Sequence, residues 1–276
     1  NYNMTYQYIE YKTENRLAFI TLNRPEKRNA FNKALVEELK DAFSNAETDN
    51  DVKIVILKAT GKVFSAGADL GYLQGLQKNT YEENLQDSMD LKALYQQMYS
   101  LKKVIIAQVE GHAIAGGCGL ATVCDFTFSV PEAKFGYTEV RIGFVPAIVM
   151  VFLLRKIGEL KTKNLLLTGD LISAETAKEI DLINFVYPAD IIAEKVPKFA
   201  EYLKSLHGEN NWKTLMVKTT QLMFNLGNGD AFKNETVKSV KQPSLSIISI
   251  ISFLRSICIC ASGSSNNISV LSSANK

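Results

Sequence analysis

Three short runs limit what this chain can become: DVKIVILK (51–58), KVIIAQV (103–109) and DFTFSV (125–130). Each is rich in apolar residues and too short for a helix, as expected of a strand covered on both faces. Between the first two lies Glu82–Leu101, a long stretch of helical character with Leu85, Met89, Leu94 and Met98 on or near one face. Covered strands separated by helices define an α/β class. Upstream, Tyr6–Tyr11 and Leu17–Leu22 read as strands joined by a polar KTEN turn, and Ala34–Ala46 as a helix. After residue 148 the pattern turns helical: Val149–Ile157, then Lys161–Leu167 stopping at Gly169, then Ala174–Ile180 with Ser173 as N-cap, then Ala189–Leu206.

Two loops break this pattern with small residues. FSAGADL (64–70) and IAGGCGL (114–120) each follow an apolar run and precede helical sequence. Glycine weakens a helix by roughly 1 kcal/mol relative to alanine, so three of them at a helix start need a reason. A helix N-terminus leaves backbone N–H groups unpaired and partly positive. Gly and Ala there let a ligand oxygen approach, and one N–H from each loop would make an oxyanion hole. Tight strand-to-helix turns alone would also use such glycines. A dinucleotide site is not supported, since no G-x-G-x-x-G follows a first strand, and a P-loop is absent.

Charge narrows the partners. With 31 basic and 29 acidic residues the net charge is +2, which gives no reason to expect nucleic acid or an anionic membrane. The four cysteines, Cys118, Cys124, Cys258 and Cys260, suit neither a zinc site nor a redox pair, and no other metal cluster is visible. Buried thiols and an N-terminus without signal-peptide layout point to the cytoplasm. His112 reads as a packed loop histidine and His207 as the end of a helix.

The two glycine loops, with LNRPEKRNAF (22–31) and FGYTEVRIGFVPA (135–147), resemble the crotonase superfamily, the enoyl-CoA hydratase/isomerase family. The likeness runs from about Tyr6 to about Asn225 and includes LLLTGDLISAETAKEIDLINFV (165–186). It implies a crotonase-like spiral of ββα units with a C-terminal helical trimerisation region, and trimers that pair into hexamers. The layout expected is a spiral core over 1–190, a helical oligomerisation region over 191–235 and a tail over 236–276. The likeness fades beyond Asn225. The tail has no Asp or Glu and repeats serine and isoleucine, as a β-prone segment or a frame-shifted C-terminus would.

The resemblance also implies a site. The oxyanion donors would be the backbone N–H groups of Ala68 and Gly116, holding the carbonyl of an acyl-CoA thioester. Ala66, Asp69 and Leu70 would border the adenine end, and Lys27 and Arg28 the CoA phosphates. Coenzyme A enters as part of the substrate, with no resident cofactor. Hydratases of the family usually carry two glutamates. The position of the first is Gly119 here, and the second is Glu139, among Phe135, Tyr137, Val140 and Phe144. The Ala147 N–H would help place a water. Tyr72 and Tyr95 read as core packing, with an approach to the acyl pocket as the alternative. The expected activity is hydration of a 2-enoyl-CoA, branched and methylglutaconyl-like because the segment around Pro146–Ala147 is similar to that subgroup. With one glutamate, double-bond isomerisation or acyl-CoA binding without chemistry stands beside it.

Overall fold

The chain enters on a hairpin. β1 (Ile9–Glu14) pairs antiparallel with β2 (Leu17–Leu22), Ile9 opposite Leu22 and Glu14 opposite Leu17. The turn is Asn15 and Arg16, with φ of 51° and 66°. Two left-handed residues twist with the strands they join, which lets the ladder close directly behind them. The first strand therefore runs three residues beyond the expected Tyr11, and Lys12–Glu14 of the expected turn belong to it. The structure is a computed structural model that describes residues 6–207.

Next come α1 (Lys33–Thr48), β3 (Ile54–Ala59) and β4 (Val63–Ser65). Asn32 caps α1 by accepting from the Leu35 N–H at 2.8 Å. Helices α2 (Leu70–Leu76) and α3 (Tyr81–Ser100) follow, α3 behind a Thr80/Glu83 capping box. Then come β5 (Val104–Val109), β6 (His112–Ile114), α4 (Gly116–Val123), β7 (Phe126–Ser129) and β8 (Lys134–Gly136). A 3-10 turn at Glu139–Ile142 leads to α5 (Ala147–Ile157) and α6 (Glu159–Thr168). The described chain ends with β9 (Ile172–Ser173), α7 (Ala174–Glu179), β10 (Phe185–Val186) and α8 (Ala189–His207).

The strands sort into two sheets, β1-β2-β3-β5-β7-β10 and β4-β6-β8-β9. Each turn of the chain gives a long strand to the first and a three-residue strand to the second: β3 then β4, β5 then β6, β7 then β8. All pairings are parallel except β1 with β2 and β8 with β9. The result is a spiral of ββα units. The second sheet went unread in the sequence because strands of two or three residues show no periodicity.

Helix α3 is buried only at its C-terminal end. Leu94, Tyr95 and Met98 are fully enclosed, while Leu85 and Met89 are about half exposed (48% and 47%). The enclosed turns are those that meet α1, where Gln97 donates to the Lys40 carbonyl at 2.9 Å, and α4.

Helix α8 packs on the first sheet through Phe199, whose ring meets Phe126 edge-on at 4.9 Å and also touches Phe128 and Phe185. The start of the region expected to oligomerise thus lies on the core's own sheet. The remainder of 191–235, the tail, Cys258 and Cys260 lie outside the described residues. Among those described, no helix is long and apolar enough to cross a membrane. No group of His, Cys, Asp and Glu there could hold a metal.

Candidate active site

The site forms where the two glycine corners meet. Strand β4 leads into Gly67, which has φ +82°, and β6 leads into Ala115, which has φ +51°. A Cβ on Gly67 would stand 2.7 Å from the Ala115 Cβ and 3.2 Å from the Gly116 nitrogen. A Cβ on Gly117 would fall 2.4 Å from the Ser65 carbonyl oxygen. Both glycines are therefore required for two backbones to touch.

The expected donors face this junction. The Phe31 N–H donates to the Gly67 carbonyl at 2.7 Å and the Asp69 N–H to the Phe31 carbonyl at 2.9 Å. Ala68 lies between them in a parallel bridge with Phe31, and its own N–H has no hydrogen-bond partner among the described residues. Gly116 is the first residue of α4, and Ala115 before it offers no side-chain cap. The first N–H groups of a helix have no intrahelical partner, so this one is open as well.

A polar frame holds the first corner. Arg24 makes a 3.0 Å ion pair with Asp69, and the other Asp69 oxygen caps α2 by accepting from Gly71 and Tyr72. Arg24 also donates to the Ala30 carbonyl at 3.0 Å and lies over the Tyr8 ring. Buried Asn29, at φ +52°, donates to the Thr60 and Val63 carbonyls and accepts from the Arg24 N–H. The Ser65 hydroxyl donates to the Asn29 carbonyl at 2.8 Å. LNRPEKRNAF thus braces the corner.

Gly119 is enclosed. A Cβ there would lie 2.6 Å from Val149 Cγ1 and 2.9 Å from the Tyr95 hydroxyl oxygen. Its N–H is spent on the Ala115 carbonyl at 3.0 Å. The position that carries an acid in family hydratases is filled here by α3 and α5, and Gly119 itself brings no reactive group.

Glu139 opens the 3-10 turn after β8. Its Oε2 is buried and has no hydrogen-bond partner. Burial raises its carboxyl above the ordinary range. Of its expected apolar neighbours, Phe135 and Tyr137 are buried, while Val140 and Phe144 are exposed. Its charge bears on Cys118, in the first turn of α4, and on Tyr95 of α3, whose hydroxyl donates to the Gly116 carbonyl. A carboxyl raised by burial gives up its proton less readily and takes one back more readily than an ordinary glutamate, as a group that shuttles a proton must.

The remaining expected residues are placed as follows. The Ala147 N–H opens α5 but donates to the Val145 carbonyl at 2.8 Å, across a γ-turn centred on Pro146 (φ −77°, ψ 56°). A water would have to compete for it. Lys27 and Arg28 lie exposed on the rim, without an ion-pair partner among the described residues, and the Arg28 carbonyl accepts from the Ala66 N–H at 3.0 Å. Leu70 starts α2. Tyr72 donates to Asp87 and so ties α2 to α3. His112, expected in a loop, instead opens β6, exposed, and accepts from the Lys134 N–H of β8 at 3.1 Å.

Sequence reasoning passed over Arg24, Asn29 and Val149. Asn29 left a trace, since asparagine is the non-glycine residue that most readily takes a left-handed backbone. The other two left none.

The family described as enoyl-CoA hydratase/isomerase matches residues 12–225. A Thermus thermophilus protein, provisionally named an enoyl-CoA hydratase, is 42% identical over 185 residues, 67% of this chain and 73% of its own. The crotonyl-CoA hydratase of Syntrophomonas wolfei is 36% identical over 203 residues, 71% of this chain and 75% of its own. The crystal structure of an enoyl-CoA hydratase from Bacillus anthracis superposes with a TM-score of 0.76 at 27% identity, covering 91% of this chain and 97% of that one.

Proposed function

Because this chain belongs to the enoyl-CoA hydratase/isomerase family, we propose that it adds water across the 2,3 double bond of an acyl-CoA thioester with Glu139 as its one acid. The thioester oxygen sits between the Ala68 and Gly116 N–H groups. The Glu139 carboxylate takes a proton from water as the water oxygen bonds to C3. The double-bond electrons move to C2 and the carbonyl, and the oxyanion forms against the two N–H donors. Glu139 then returns its proton to C2, so atoms and charge balance with one carboxyl acting twice. Donors aimed at developing charge stabilise the transition state more than the bound substrate.

The observation that carries this reading is the Glu139 Oε2, buried and unpartnered, whose charge acts on Tyr95, the residue that hydrogen-bonds the Gly116 carbonyl. In the same reading, Lys27 and Arg28 meet the CoA phosphates, and Ala66, Asp69 and Leu70 border the adenine. The acyl group is branched and methylglutaconyl-like, on the likeness of the Pro146–Ala147 segment. The enzyme is a homotrimer or hexamer in the cytoplasm, and it uses no metal or resident cofactor.

Isomerisation is the second reading, favoured by the closed space at Gly119. One base can move a proton from C4 to C2 without any water. A panel of 2-enoyl- and 3-enoyl-CoA thioesters, with water addition and double-bond migration scored separately, decides between the two. Hydration that survives Glu139→Gln undamaged would remove the assigned base.

A further inference from the structure

Gly116 must present its N–H at a fixed point, yet it has no side chain to hold its backbone, and Gly117 follows it. Glycine loses more conformational freedom on ordering than any other residue. Besides the intrahelical bond that the Gly116 carbonyl accepts as the first residue of α4, two hydrogen bonds supply the restraint. The Gly119 N–H donates to the Ala115 carbonyl at 3.0 Å, which fixes the peptide before Gly116. On the other side, the Tyr95 hydroxyl donates to the Gly116 carbonyl at 2.8 Å. Tyr95 comes from α3 and is fully buried, its ring 6.3 Å from that of Phe152. Its hydroxyl is thus delivered from a rigid element. The same oxygen stands 2.9 Å from where a Cβ on Gly119 would be, and 3.3 Å from one on Gly116.

We propose that Tyr95 is a positioning residue of the oxyanion hole: its hydroxyl pins the Gly116 peptide from outside α4 and takes the space a side chain at 119 would need. This commits the site to a single acid, Glu139, and it rests on the enoyl-CoA reading above. Tyr95 moves no proton itself. It is sealed from solvent, its proton is held by a carbonyl, and burial beside Glu139 raises its hydroxyl far above the ordinary range.

The test uses two probes on the full chain: a 3-oxoacyl-CoA, whose enolate absorbs in the near ultraviolet, and the matching saturated acyl-CoA. Wild type should bind both and draw the oxo compound toward its enolate. Tyr95→Phe should lower the enolate signal and kcat by about tenfold, with KM and saturated-thioester affinity held within about twofold. Gly119→Ala should show the same split, because its Cβ pushes on the hydroxyl from the other side. Thermal melts of both variants confirm that they fold. If Tyr95→Phe matches wild type, or loses saturated-thioester affinity in step with the enolate signal, the positioning role is wrong while the enoyl-CoA reading stands. If wild type binds neither thioester, both fall.

Discussion

Gly67 and the Gly116 nitrogen are in contact: a Cβ on the first would come within 3.2 Å of the second. Two corners from different turns of the spiral meet there, with the Ala115 methyl packed at the junction. Gly67→Ala would force a Cβ into this contact at φ +82°. The left-handed backbone alone costs an alanine roughly 1–2 kcal/mol. Displacing one oxyanion donor lowers kcat by about 100- to 1,000-fold. Urea unfolding and steady-state hydration of a 2-enoyl-CoA measure the two effects, and an active, fully stable Gly67→Ala would contradict the geometry.

Glu139→Gln should lower kcat by about 100- to 10,000-fold. The sign of its stability effect is opposite. Burial raises the folded-state pKa of Glu139, so the stabilisation is complete below the unfolded glutamate value and lost as pH climbs through the folded one. The glutamine variant should therefore melt higher than wild type at pH 7, and the gap should close in acid. For activity the base must be ionised, so kcat/KM should rise with pH through a value above that of an ordinary glutamate. Melts and rates across pH 4–8 (roughly the span of a perturbed carboxyl) test both.

The Arg24–Asp69 pair has little contact with water, with side chains 12% and 15% exposed, so solvent screens it weakly. Arg24→Ala leaves the carboxylate next to Ala68 without its cation and should cost about 2–4 kcal/mol. Asp69→Asn keeps the α2 cap but loses the charge. If the pair acts as a unit, the double variant costs less than the sum of the singles. Denaturant titration of the four proteins gives the coupling, and strict additivity would refute it.

At the far end of α4, the half-buried Lys156 ammonium donates to the Thr122 and Cys124 carbonyls, each at 2.9 Å. Lys156→Met strands both acceptors and should destabilise the fold by about 1–3 kcal/mol. The N-terminal corner is untouched, so kcat should stay near wild type. A large kcat loss at full stability would show that α4 passes disturbance from one end to the other.

The long strands, the helix start at Ser173 and the glycine corners were legible because each rests on a few neighbouring residues, whereas the caps at Asn32 and Thr80 went unread. Apolar runs, capping oxygens and absent side chains act over one or two turns of chain. Glu139 was legible for the same reason, as an acid among apolar neighbours. The short strands β4, β6, β8 and β9 were not, because three residues exist as a strand only when a partner strand is already beside them. Leu85 and Met89 carry the same helical signal as Leu94 and Met98, yet only the latter pair meets another layer.

By itself, then, the sequence determined where the backbone could turn, which segments had to be covered and which carboxyl stood in a run rich in apolar residues. Tertiary structure alone decided that the Ala68 and Gly116 corners touch, that Tyr95 and Val149 close the space at Gly119, and that the Ala147 N–H is spent on its own turn. The reason is range: backbone preference and capping are local, whereas contact between residues from different turns of the spiral depends on how whole layers pack.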